Sequence, residues 1–135
     1  MPNPSRTRLM ARIVGPFLLI LGAALALRAH TLRPLLDAFL RDSPLLLLTG
    51  FVTLAVGLVM ITAHNSWGNP PAVVISLLGW LTTLRGALLL LAPDVVVKLA
   101  SAALQSSIFP LLAGAVTALI GLWLAFAGWS ARANL

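Results

Sequence analysis

The sequence predicts an all-α membrane protein: four transmembrane helices, built as a tandem repeat of two helix–surface helix–helix units, plus two short interfacial amphipathic helices. Three observations predict it. Of 135 residues, 60% are hydrophobic and only 9% charged, and the mean hydropathy is +1.04, whereas an ordinary soluble domain carries about 25% charged residues. Four apolar runs are each long enough to cross the hydrocarbon core at about 1.5 Å per residue. The chain also aligns with itself, without gaps, when shifted by 64 residues. Four spans use roughly 80 residues, which leaves room for termini and three connections and none for a water-soluble catalytic domain. The expectation is a single membrane domain over 1–135, with repeat 1 at about 11–66 and repeat 2 at about 75–130.

The first run is Met10 to Leu27. Arg6, Arg8 and Arg12 precede it and Ala24-Leu25-Ala26 ends it, which mimics a signal peptide; the reading preferred is a retained first transmembrane helix. The second run is Pro44 to Ala63, the third Ala72 to Ala92 and the fourth Ile108 to Trp129. Helix is the conformation expected, because lipid cannot satisfy an open strand edge. Ser43-Pro44 and Asn69-Pro70-Pro71 place a capping side chain before proline at a helix start, and Ser107 is placed to cap the fourth run.

The connections differ. His64-Asn65-Ser66-Trp67-Gly68-Asn69-Pro70-Pro71 is a tight, uncharged turn. Between Thr31 and Asp42, apolar Leu32, Leu35, Leu36, Phe39 and Leu40 recur at helical spacing with Arg33, Asp37 and Arg41 opposite. That pattern predicts a short amphipathic helix at the membrane surface. Val96, Leu99, Ala100, Ala103 and Leu104 repeat it after Asp94, with Lys98 on the polar side. Asp94, following Pro93, stands where an N-cap is needed.

The self-alignment gives 18 identities over the 55 pairs from Arg12/Ser76 to Ser66/Ser130. The informative matches are Gly15/Gly79, Gly22/Gly86, Ser43/Ser107, Gly50/Gly114, Thr53/Thr117 and Gly57/Gly121. Two spans per unit give both copies one orientation, so the expected pseudo-two-fold axis runs along the membrane normal. Cations balance across the membrane: Arg6, Arg8, Arg12 and Arg132 on one side, Arg28, Arg33, Arg41 and Lys98 on the other. The leading arginine cluster favours cytoplasmic termini.

Glycine spacing is the strongest motif. Gly15/Gly22, Gly50/Gly57, Gly79/Gly86 and Gly114/Gly121 are each seven residues apart, one pair per run. Seven residues are nearly two turns, so each pair marks one helix face, and glycine lets backbones approach where lipid supplies no hydrophobic push. Thr53 and Thr117 share that face. Helix packing is the plain reading and a glycine-lined path the functional one; whether the seam meets the chain's own helices or another subunit is open.

Arg85 is the one charge well inside a run, about seven residues or 10 Å from its end. Its counterpart in the first half is Leu21, so the repeat does not require it. Three roles fit: snorkelling to a lipid phosphate, pairing with a carboxylate, or transport. His30 and His64 end the first and second runs, on opposite faces, so one chain cannot bring both to a single metal or haem. Ala26-x-x-x-His30 resembles the spacing with which light-harvesting helices ligate bacteriochlorophyll, but a histidine at the boundary beside Arg28 reads first as an interfacial polar residue. The acids Asp37, Asp42 and Asp94 all fall in or beside the surface helices, which counts against proton- or cation-coupled transport. Without cysteine there is no thiolate or disulfide chemistry, and no nucleophile–base pair or phosphate loop is present. No cofactor, metal or nucleic-acid partner is expected. Trp67 and Trp129 mark one interface; Trp80 and Trp123 lie deeper.

Gly86-Ala87-Leu88-Leu89-Leu90-Leu91-Ala92-Pro93, followed by Leu99, Leu104, Gly114 and Gly121, resembles the small uncharacterised bacterial inner-membrane hairpin proteins, here duplicated in tandem. The first half departs from the pattern, with His30 where the second has Asp94. The resemblance implies a bacterial inner-membrane location and brings no activity with it. Two functions are expected to compete. One is a non-catalytic accessory subunit that packs against lipids and a larger membrane assembly, respiratory or photosynthetic among the possible hosts. The other is a small dimeric transporter, or a lipid- or anion-binding protein, using Arg85.

Overall fold

A computed structural model describes residues 4–130, and these are all-helical in their regular structure. Six helices follow in order: α1 Pro4–Leu27, α2 Leu32–Arg41, α3 Ser43–Ala63, α4 Pro70–Leu91, α5 Pro93–Leu104 and α6 Ile108–Ser130. The four long ones, α1, α3, α4 and α6, are long and apolar enough to cross a membrane. The protein is a multi-pass membrane protein on that ground. Large side chains such as Phe17, Ile20, Leu84, Leu119 and Phe126 are more than half exposed along these helices, as bilayer-facing residues are.

Element ends depart from expectation in instructive ways. Helix α1 starts at Pro4, before the apolar run, because polar residues in the first turns can remain helical. Asp42, not Ser43, caps α3: its Oδ1 accepts from the Leu45 N–H at 3.1 Å, and Ser43 is already the first helical residue, ahead of Pro44. Asp94 does not cap α5. Pro93 opens that helix after Ala92, so Asp94 lies within the first turn, where a negative charge opposes the positive end of the helix dipole. Asn69 does precede α4 in extended conformation, although its side chain makes no capping bond.

The long helices associate as two antiparallel pairs. Helix α1 packs along α6, and α3 packs along α4. The first and last helices of the chain are therefore partners, and the turn at 64–69 joins the other two. One small apolar cluster connects the pairs: Ala11 and Leu18 of α1, Ile75 of α4 and Leu124 of α6 are buried together, with Met10, Val14, Met60, Val74 and Leu78 against them. The cluster runs from the end of the molecule that carries the N-terminal turns of α1 and α4 to about the middle of those helices. Helices α2 and α5 lie at the opposite end. Each leads from one pair to the other, and the two touch as they cross.

Candidate functional site

Two features stand out against this frame: the seams inside each pair, and the faces the pairs turn toward each other.

All eight glycines of the seven-residue pairs are buried, and each meets its partner helix within its own chain. In the α1–α6 pair, a Cβ at Gly22 would stand 2.6 Å from the Gly114 carbonyl oxygen and against the Ala118 backbone. One at Gly121 would stand 2.7 Å from the Gly15 carbonyl oxygen and against Leu19. One at Gly114 would stand 2.7 Å from the Ala26 nitrogen, and Gly15 faces the Ala125 backbone. Glycine hydrogens thus point at carbonyl oxygens across the seam, the arrangement of weak Cα–H···O contacts between closely packed helices. In the α3–α4 pair, Gly57 faces the Thr83 backbone and Gly86 that of Leu54. Gly50 and Gly79 are looser: their nearest neighbours are side-chain atoms of Leu90 at 2.8 Å and of Met60 at 3.2 Å.

Hydroxyls on these helices turn back to their own backbone. Thr117 donates to the Ala113 carbonyl at 2.7 Å, Thr83 to Gly79 at 2.9 Å and Thr82 to Leu78 at 2.7 Å. Thr53 is half-buried near its seam. Such back-bonding satisfies the hydroxyl without a partner helix.

Polar contacts close each pair at the end away from α2 and α5. Arg12 Nε donates to the Gly128 carbonyl at 2.9 Å, so a cation meets a carbonyl in the last described turns of α6. In the other pair Ser76 is 1% exposed and ties down the turn. Its Oγ accepts from the Ser66 N–H at 3.1 Å and donates to the Ser66 carbonyl at 2.9 Å. The His64 carbonyl lies 3.5 Å from the same hydroxyl.

Spacing within the runs did not single out Ser76 or Gly128. The signal for Gly128 is in the chain, since Gly114, Gly121 and Gly128 form an unbroken series of sevens. A Cβ at Gly128 would lie 3.0 Å from the Arg12 nitrogen.

The two histidines differ. His30 is exposed in the turn between α1 and α2, whereas His64 follows α3 and is 5% exposed. Sequence reads His30 as an interfacial polar residue and His64 as the end of the second run; burial of His64 is new. Its Nε2 has no hydrogen-bond partner among the described residues, and burial lowers its pKa from the usual 6.5. Thr7 is buried at the same end of the molecule, its hydroxyl also without a partner among the described residues. No group of three or more His, Cys, Asp or Glu side chains that could hold a metal occurs among the described residues.

Arg85 lies in α4 on the face that continues the inter-pair contact. Leu78, Thr82, Arg85 and Leu89 follow one another at spacings of four, three and four, as do Val14, Leu18, Leu21 and Leu25 on α1. Val14, Leu18 and Leu78 belong to the cluster between the pairs. One turn beyond it, Leu21 is 40% exposed and Arg85 is exposed, while further on Leu25 is half-buried and Leu89 buried. Arg85 has no ion pair or hydrogen bond among the described residues. At the α2–α5 crossing, a crevice of about 110 Å³ is lined by Arg33, Leu36, Asp37, Ser101, Leu104 and Gln105.

Comparison of the chain with known protein families, curated proteins and solved structures gives no match. The functional reading therefore rests on residues and geometry.

Proposed function

We propose that this is a non-catalytic integral membrane protein of the bacterial inner membrane, an accessory subunit that packs against a larger membrane assembly. The observation that carries it is the closure of the seams. Each glycine face is spent on a helix of the same chain, so each pair is a stiff unit whose outer surface is broad and apolar, with Trp80 and Trp123 exposed at mid-helix. A stiff apolar surface, without clustered metal-binding side chains among the described residues, fits a role in contact and spacing better than one in chemistry. Extraction in mild detergent followed by native mass measurement tests this. A co-purifying subunit in fixed ratio is expected; a chain that always runs alone sinks the reading.

The same proposal includes an origin by duplication. Support comes from the contacts themselves: Gly22 meets Ala118 and Gly86 meets Leu54, while Gly15 meets Ala125 and Gly79 meets Ile61. Adding 64 to one member of each contact and subtracting 64 from the other gives its counterpart. Arg12 to Gly128 and Ser76 to His64 obey the same rule. Within this reading α2 and α5 lie at the membrane surface, since α2 turns Leu32, Leu36, Phe39 and Leu40 inward and leaves Arg33, Asp37 and Arg41 exposed. The leading arginine cluster favours cytoplasmic termini.

A second reading, a lipid- or anion-binding membrane protein, is favoured by one observation: Arg85 is exposed at membrane depth on the face between the pairs, and no carboxylate of the described chain pairs with it.

A further inference from the structure

We infer that the open space between the two helix pairs, beneath the α2–α5 crossing, holds one phospholipid, and that Arg85 binds its phosphodiester. The inference rests on the second reading above and names its ligand and its place.

Four observations converge. First, the pairs touch through a cluster that runs from one end to about mid-helix, with Val14, Leu18, Ile75 and Leu78 at its inter-pair faces. The same faces continue into Leu21 on α1 and Arg85 on α4, and both are exposed. In a bilayer this space cannot stay empty, and acyl chains are the filler at hand.

Second, the ligand must answer a charge. Arg85 lies six residues before the end of α4 at Leu91, so its Cα is about 9 Å below the helix end. A guanidinium extends toward the headgroup level from that depth. Its donor fork matches two oxygens of a phosphate bidentately.

Third, nothing within the described chain competes. The acids Asp37, Asp42 and Asp94 are on α2, before α3 and on α5, and none of them forms an ion pair with Arg85.

Fourth, the fold does not need the arginine. Leu21 occupies the equivalent position on α1, facing the same space, and α1 is formed as fully as α4. A leucine is therefore compatible with this face, and the charge is an addition to it.

That last point supplies a clean test. Arg85→Leu gives α4 the residue α1 already carries, so helix content and monomer stability are expected to stay unchanged. The purified full chain is exchanged into detergent with phosphatidylglycerol, phosphatidylcholine or diacylglycerol, and bound lipid is counted by native mass spectrometry. The expected result is one phospholipid of either headgroup per chain, and no diacylglycerol, since the phosphodiester is the feature recognised. Arg85→Leu should lower retention roughly tenfold, the scale of one charge-assisted contact, and Arg85→Lys less. Leu21→Phe and Leu21→Trp, which fill the space from the α1 side and keep Arg85 in the chain, should also expel the lipid. Arg33→Gln, at the separate crevice on the α2–α5 crossing, should retain it.

The outcomes separate the two readings. Undiminished retention by Arg85→Leu overturns both this inference and the Arg85 reading behind it. Loss with Arg85→Leu but retention in both Leu21 variants leaves an Arg85 lipid contact standing and overturns its place between the pairs. Displacement of the lipid by millimolar inorganic phosphate, in an Arg85-dependent way, assigns the site to a free anion and overturns the lipid.

Discussion

The removal of one side chain from each seam position sets how closely the helices approach, and the seam positions are unequal. At Gly22 and Gly121 an added Cβ would meet backbone atoms, including carbonyl oxygens at 2.6 and 2.7 Å. Backbone cannot turn aside, so the helices must part. At Gly50 the nearest atom is the far end of the flexible Leu90 side chain, and at Gly79 the contacts begin at 3.2 Å. Gly22→Ala and Gly121→Ala should therefore each destabilise the folded protein by about 1–3 kcal/mol, the usual cost of overpacking, while Gly50→Ala and Gly79→Ala cost clearly less. Thermal unfolding in detergent ranks them, and a reversed order removes the seam argument.

His64 adds a pH dependence at the same scale. Its ring is buried and its pKa lowered by that burial, so the unfolded chain takes up the proton more readily than the folded one. Stability is then fully present above the unfolded pKa of about 6.5 and declines as pH falls from there toward the lower folded value. The melting temperature should drop between about pH 8 and pH 5.5, and His64→Gln should flatten that drop. An unchanged slope in His64→Gln refutes the assignment. Glycine faces were legible from spacing alone because spacing decides which side of a helix a residue occupies. Burial of His64 was not, because it depends on how α3 ends against its neighbours.

At the scale of the element, the six helices were legible because their causes are local. Hydrophobic run length, proline at the first turn and the period of the α2 pattern each act within about a dozen residues. What failed was the choice between adjacent polar residues. Asp42 rather than Ser43 caps α3, and the decision lies in one residue of backbone conformation that either residue permits. Asp94 became a first-turn residue for the same reason, since Pro93 could open the helix. Ser76 shows a longer-range cause. A buried hydroxyl early in α4 is explained only by the turn that folds back on it, where it both accepts from and donates to Ser66. Ser76→Ala leaves the Ser66 N–H without this acceptor, a loss of about 1–3 kcal/mol for buried groups. The expected reading is a lower melting temperature together with faster amide exchange confined to the 64–69 turn and the ends of α3 and α4. Exchange that quickens equally in α1 and α6 would show that the bond does not act within its own pair.

The pairing of whole helices was the least legible feature. Spacing marks a face but does not say which face it meets, and chain proximity would pair α1 with α3 through the short α2. Instead each tight pair takes one helix from either half of the chain: α1 with α6, and α4 with α3. The physical reason is complementarity of seams. Gly15 and Gly22 need small residues in antiparallel register, and α6 supplies Ala118, Ala125, Gly114 and Gly121. Helix α3 is already committed to α4, to which a short turn connects it. It follows that neither half contains a closed seam by itself. A chain cut after Gly68, which is exposed in the turn, yields 1–68 with α1 and α3, and 69–135 with α4 and α6. Expressed apart, each fragment leaves its glycine faces unpaired and should be degraded or associate with other copies. Expressed together, they should co-purify as a one-to-one complex whose helix content and melting transition approach those of the intact chain. Because the seams, and not the covalent turn, hold the halves together, Gly22→Leu in the first fragment should abolish that capture, whereas Leu27→Ala, at an 85%-exposed side chain, should not. Two fragments that each fold as stable monomers would place the stabilising contacts within the halves and overturn the interleaved pairing.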